Sequence, residues 1–311
     1  MGDQPRFRLV TRSDFDGLVC AVLLKEKDLI DEILFVHPKD VQDGKVDITG
    51  NDITTNLPYV PQCHLALDHH SSEVIRVNGN PDNLVLEPDA KSAARVVYNH
   101  FGGKDAFPAI SDEMMDAVDK ADSAAFSEEE VLDPQEWVLL NFLMDARTGL
   151  GRFKTFEKSN YQLMMELIDA CRDHDIHEIL GLPDVLERVV LYRSHEKEFR
   201  AQLERCTTVH DNLVVIDLTD EETVYVGNRF LVYALHPQCN ISIHVMWGLN
   251  KQNTVFAIGK SILNRTSKTN IGELALSYGG GGHRAAGTCQ VENDQVEKVL
   301  GELIAKINTD G

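Results

Sequence analysis

The sequence predicts an α/β protein: an N-terminal domain built on a mostly parallel sheet flanked by helices, a helical connector, and a smaller C-terminal α/β domain. Three observations carry this expectation. Short apolar runs alternate with helical patterns through the first half, as in successive βαβ units. Three of those runs, at 7–10, 46–49 and 65–67, stop abruptly at acidic or imidazole residues, and in an open α/β sheet the carboxyl edge of the strands is where ligands bind. After residue 212 the pattern changes to closely spaced strand-like runs and ends near a glycine-rich motif at 279–287. The expected domains are 1–185 and 211–311, with a connector helix at 186–210.

Length and composition set the bounds. The chain has 311 residues, of which 43% are hydrophobic, enough for two ordinary domains with real cores. No stretch reaches the length of a membrane span, so no membrane partner is expected. Residues 1–6 have neither the apolar core of a signal peptide nor the Ser or Thr of the myristoylation pattern. Six cysteines are scattered and never form a Cys-x-x-Cys. That spacing points to a reducing, cytoplasmic setting, without a disulfide framework or a thiolate zinc site. The formal net charge of -20 provides no basic stripe for tracking long duplex nucleic acid. A small anionic substrate remains compatible, because bound cations invert the local sign.

In chain order, residues 7–10 read as a strand entering Asp14-Phe15-Asp16-Gly17, with a helix following at once. Gly17 permits the tight strand-to-helix turn. One Asp suffices to cap a helix, and two around an aromatic residue place two carboxylates on one turn. Capping and metal binding are therefore equal readings of this pair alone. Residues 32–36 form the next strand. The run 47–52 is read as the third, ending on Asp52, with an Asx turn as the bland alternative. Residues 65–67 form the fourth and end on Asp68-His69-His70. One of these imidazoles suits a metal, the other a phosphate, and Asp68 can orient a ring nitrogen.

Helices are expected at 91–98, with Ser92 as cap or substrate contact, at 111–122, at 134–147 and at 153–180. Asp122 at a helix carboxyl end opposes the helix dipole, and metal ligation is one reason to tolerate it. Gly181-Leu182-Pro183 breaks the pattern before the long helix at 186–206. Strands are then expected at 213–217, 223–226, 241–247 and 254–258, with helices at 229–235 and 271–278. In Gly279-Gly280-Gly281-Gly282-His283-Arg284-Ala285-Ala286-Gly287, successive glycines let backbone N–H groups converge on an anion, and His283 and Arg284 add phosphate donors. Arg265 can complete that site, although a surface arginine is the commoner case.

On Asp14-Phe15-Asp16-Gly17, Asn51-Asp52, Asp68-His69-His70, Asp122 and the run 279–287, the chain resembles the DHH phosphoesterase family over nearly its whole length. The resemblance implies a phosphohydrolase with a pair of divalent ions, usually manganese, with magnesium as the alternative. It implies Asp14 on the first ion, Asp16 on the second, Asp52 bridging, and His69 and Asp122 completing the second. It further implies His70 on the substrate phosphate, Asp68 orienting a histidine, and His283, Arg284 and the backbone of Gly280, Gly281 and Gly282 on the far end of the substrate. Carboxylate and imidazole suit such ions better than thiolates, and two ions about 3.5–4 Å apart can activate water and clamp an in-line displacement.

One departure stands out. The family carries His two or four residues before the first Asp, where this sequence has Arg12 and Val10. One or two ions are therefore expected, and Arg12 becomes a candidate phosphate clamp in the catalytic set with His70 and Asp68. The preferred function is hydrolysis of short oligonucleotides or small nucleotides. Exopolyphosphatase is the runner-up, and a catalytically weakened nucleotide-binding regulator is the reading from another class. A homodimer is among the expected states.

Overall fold

The computed structural model describes residues 6–153 and 155–311; residues 1–5, read above for targeting patterns, lie outside them. The chain divides into two compact units. The first comprises residues up to 125, 135–146 and 153–189, and the second 126–134, 147–152 and 190–311.

The first unit contains a five-stranded sheet of β1 (Phe7–Arg12), β2 (Ile30–Val36), β3 (Asp52–Thr55), β4 (Leu65–Asp68) and β5 (Leu84–Leu86). Its order is β2-β1-β3-β4-β5 and every pairing is parallel. The chain leaves β1 for β2 on one side and then crosses to β3 on the other. The carboxyl ends of β1 and β3 thus flank the point where strand order reverses, the ligand crevice of doubly wound sheets.

The helix Phe15–Glu26 is hydrophobic nearly all round, and Phe15 through Leu24 are buried. A helix with no polar face belongs in a core, and this one packs against the helices Ala93–His100, Asp112–Asp122 and Asn160–Asp173. Gly17 is required at its start, since a Cβ there would lie 2.0 Å from the Arg12 carbonyl oxygen.

The second unit contains a six-stranded mixed sheet of β6 (Thr207–His210), β7 (Leu213–Asp217), β8 (Ile241–Trp247), β9 (Thr254–Lys260), β10 (Gly281–His283) and β11 (Ala286–Val291). Its order is β10-β11-β9-β8-β7-β6, with only β7–β8 parallel. The helix Val296–Asp310 buries Val299, Leu303 and Ile307, the four-residue spacing of one helical stripe, in the core with Ile243 and Phe256.

Several expectations are corrected. The third strand begins at Asp52 instead of ending there. The helical pattern at 153–180 is two helices, because Ser159 and Asp175 each cap a new start, at Asn160 and Ile176. Residues 223–226 form no strand. The N–H of Tyr225 donates to Gln202 Oε1 and that of Val226 to His195 Nδ1, so side chains of the helix Pro183–Cys206 satisfy this backbone in place of a sheet neighbour. All six cysteines are free thiols. No helix among the described residues is long and apolar enough to cross a membrane.

Candidate metal centre

Asp16, His69 and Asp122 each offer a ligand atom within 4.8 Å of the others. They come from three places in the first unit: the first turn after β1, the residue after β4, and the last residue of the helix Asp112–Asp122. Each is held by its own local chemistry. Asp16 is buried, and its two oxygens accept hydrogen bonds from the N–H groups of Ala93 and Ala94, at 3.0 and 2.8 Å. That is the exposed-donor end of the helix Ala93–His100, a natural anion seat. Ser92 caps this helix by accepting from the Arg95 N–H and donates to Asp119 at 2.7 Å. Arg95 also binds Asp119. The pair ties the two helices together and so sets where Asp122 ends.

The His69 ring is oriented by the carbonyl of Ala90, 3.1 Å from Nδ1. A carbonyl only accepts, so Nδ1 carries the hydrogen and the neutral ring has its lone pair on Nε2. Nε2 is buried, 3.0 Å from Asp122 Oδ2, and makes no hydrogen bond. An imidazole whose far nitrogen is anchored to a carbonyl while its near nitrogen is bare beside two carboxylates has the form of a metal ligand. Electrostatics agree. Burial, Asp122 and Asp14 together push the Asp16 carboxyl well above its ordinary range. Burial alone lowers the His69 pKa, but Asp122 and Asp16 outweigh it and raise it to about 9. The cluster therefore favours added positive charge, and a divalent cation with O and N ligands fits it.

His70 lies beside this cluster, its ring 4.6 Å from that of His69. Asp68, buried at the end of β4, accepts from His70 Nδ1 at 2.8 Å, leaving Nε2 as the nitrogen facing away. Burial lowers the His70 pKa, and Asp68 more than compensates to raise it.

The two remaining expected ligands behave differently. Asp14 caps the helix Phe15–Glu26 through Oδ1, which accepts from the Gly17 N–H and from Asn56 Nδ2 at 3.2 Å. Its Oδ2 is 2.9 Å from Arg12 Nε. Asp52 is not at this edge at all. Parallel pairing sets Arg8 opposite Asp52 and Thr11 opposite Thr55, so Asp52 opens β3 at the amino edge, three strand residues (roughly 10 Å) from the carboxyl end. There it forms an ion pair with Arg8 and accepts from the Thr49 N–H. Burial disfavours its charge, but Arg8 and Thr49 prevail and hold its pKa below the usual range. The residue at the carboxyl end of β3 is Asn56, buried, with φ +54°. Its sequence signal was only the turn-forming Asn after a β-branched run.

In the second unit the glycine run has a packing role. Gly281–His283 is strand β10, paired with β11. A Cβ on Gly280 would lie 2.1 Å from the Thr288 carbonyl oxygen, and one on Gly272 would lie 2.9 Å from that of Gly282. The Gly280 N–H donates to Ala275, so this amide is spent inside the protein, correcting its expected part in an anion cradle. His283 and Arg284 are exposed at the hairpin turn, and Lys260 is near enough to Arg284 that burial and this charge lower its pKa. Arg265 Nε donates to Ile262 within its own turn. A second cationic group was invisible in the sequence: Arg152 and Arg229 both act on His244, whose pKa is lowered to about 4 by burial and then by these two charges.

Against solved structures, the chain is 62% identical to PggH, a pGpG-specific phosphodiesterase from Vibrio cholerae, with a TM-score of 0.86 covering 98% of this chain and 100% of that one. The fold is shared with RecJ from Thermus thermophilus in complex with Mn2+, at a TM-score of 0.52 and 11% identity over 98% of this chain and 52% of that one. It is also shared with CDC45 from Entamoeba histolytica, at 0.50 and 8% over 97% and 95%. No family model and no curated relative matches. The motifs at 14–17, 68–70 and 279–287, the parallel sheet and whole-length identity to a phosphodiesterase agree: the chain belongs to the DHH phosphoesterase family.

Proposed function

We propose that this chain is a divalent-metal phosphodiesterase whose substrate is the linear dinucleotide pGpG, cleaved with water into two molecules of GMP. That it is a metal-dependent phosphohydrolase acting on small nucleotides follows from its family and its 62% identity to PggH. The dinucleotide itself is the finer reading. The observation carrying it is that this identity runs through the whole length of PggH, with the Asp16, His69 and Asp122 cluster in place. The acidic balance of the chain, at -20, favours a small anion over a long one.

In this reading Asp16, His69 and Asp122 hold manganese or magnesium. When bound, such an ion supplies Lewis-acid activation of water and charge stabilisation at the phosphoryl group. The protein does the rest. His70, fixed by Asp68, directs Nε2 to the scissile phosphate and supplies the proton that the leaving 3′ oxygen takes when its bond to phosphorus breaks. Arg12 contacts a phosphate oxygen. In the second unit, His283 and Arg284, with the hairpin of Gly281 and Gly282, offer donors suited to phosphate, and Arg265 has a supporting role at most.

The test is a Mn2+-dependent hydrolysis panel of pGpG, a cyclic dinucleotide and polyphosphate, with Asp16→Asn as blank. Turnover of pGpG well above the other two, absent from the blank, is the expected result. Polyphosphate turnover in its place would move the chain to the runner-up reading. Tight pGpG binding without turnover would make it a nucleotide-binding regulator.

A further inference from the structure

We infer that this chain holds a single divalent ion, on Asp16, His69 and Asp122, and that the guanidinium of Arg12, docked on Asp14, occupies the place of a second ion and receives a phosphate oxygen of the substrate. The inference rests on the metal reading above and deepens it.

The carboxyl edge of β1 and β3 has the positions for another ion but not the donors. Asp14 has both oxygens engaged: Oδ1 accepts from the Gly17 amide and from Asn56 Nδ2, and Oδ2 faces Arg12 Nε at 2.9 Å. The residue across from it is an amide. Asn56 is 1% exposed and turns its NH2 to Asp14, which leaves its buried Oδ1 without a partner. A neutral oxygen and a capped carboxylate are a poor set for a divalent ion, which prefers several anionic oxygens. A guanidinium already beside them adds direct repulsion. The charge that Asp14 needs is therefore supplied by the protein.

That leaves Arg12 free to act. Its shortest contact with Asp14 is made through Nε, at 2.9 Å. The side chain is 38% exposed, at the same strand edge that carries Asp16. A guanidinium presenting its donors in a plane matches a phosphate in a way that lysine does not. Unlike an ion, it is always present, so this half of the charge is independent of metal supply.

The experiment counts Mn2+ per chain, by elemental analysis after equilibrium dialysis and by calorimetry, on the intact protein and its variants. One ion per chain is expected for the wild type and none for Asp16→Asn. Arg12→Ala should keep one ion while KM for pGpG rises at least tenfold, and Arg12→Lys should fall between. Arg12→His combined with Asn56→Asp should gain a second ion. Two ions in the wild type, a count still at one in the double variant, or an unchanged KM in Arg12→Ala would overturn the inference. These outcomes are separate from the proposed substrate: one ion with no pGpG turnover would sink the substrate while the ion count stood. No ion at all would sink the metal reading and this inference with it.

Discussion

Arg8 and Asp52 meet side by side at the amino edge of the first sheet, Nε 2.6 Å from Oδ1 and Nη2 3.0 Å from Oδ2. This bidentate pair staples β1 to β3 at the edge opposite the candidate metal site, and Asp52 is 1% exposed.

Asp52→Asn should therefore cost stability and spare chemistry. Breaking a buried pair leaves an uncompensated charge, here Arg8, at a cost of about 3 kcal/mol. Thermal denaturation should show a Tm several degrees lower, with the Mn2+ count and kcat retained below that temperature. Because the Asp52 pKa is depressed in the folded protein, its contribution is present above the ordinary carboxylate value and is lost as acid takes the pH below about 3.9. Loss of Mn2+ binding in Asp52→Asn at full folding would return Asp52 to the candidate metal site.

Gly280→Ala tests the packing role of the glycine run. The added methyl would meet the Thr288 carbonyl and the Cys289 Cα at 2.1 and 2.7 Å, both backbone atoms of β11 that cannot rotate away. The expected cost is on the order of 2 kcal/mol or more, read by denaturant unfolding and by faster amide exchange in 281–291. An unchanged unfolding midpoint would mean that the hairpin has slack.

His283→Ala separates binding from chemistry. If His283 contributes to substrate binding, KM for pGpG rises by about tenfold or more with kcat nearly unchanged, the pattern of lost uniform binding. A drop in kcat at constant KM would instead bring His283 to the reacting phosphate.

The half-buried His244 makes the second unit sensitive to acid. Its pKa is lowered to about 4 by burial, Arg229 and Arg152, so the folded state keeps it neutral while the unfolded chain binds a proton near 6.5. The unfolded state thus gains protons first, and stability falls as pH drops from about 6.5 towards 4. His244→Gln should flatten that part of the curve in chemical denaturation measured at several pH values. A slope identical to that of the wild type would assign the effect to other groups.

The parallel sheet, the acidic turn after β1 and the Asp-His-His after β4 could be read directly because each is local: a short apolar run interrupted by ligand-type residues needs no distant partner to be recognised. Asp14, Asp16 and His69 stood out as candidates in that way, and Asp122 by its place at a helix carboxyl end. Which of them can take an ion depended on neighbours far along the chain. Ala90, 21 residues away, orients the His69 ring, and the helix beginning at Ala93 seats Asp16, 77 residues away. Register was equally hidden. Asp52 opens and Asn56 follows the same four-residue strand, and nothing local says which end faces the site. The pairing of Arg8 with Asp52 and Thr11 with Thr55 decides it, because parallel strands align all their carboxyl ends on one edge. The sequence therefore specified the ligand chemistry, and long-range packing selected which donors converge.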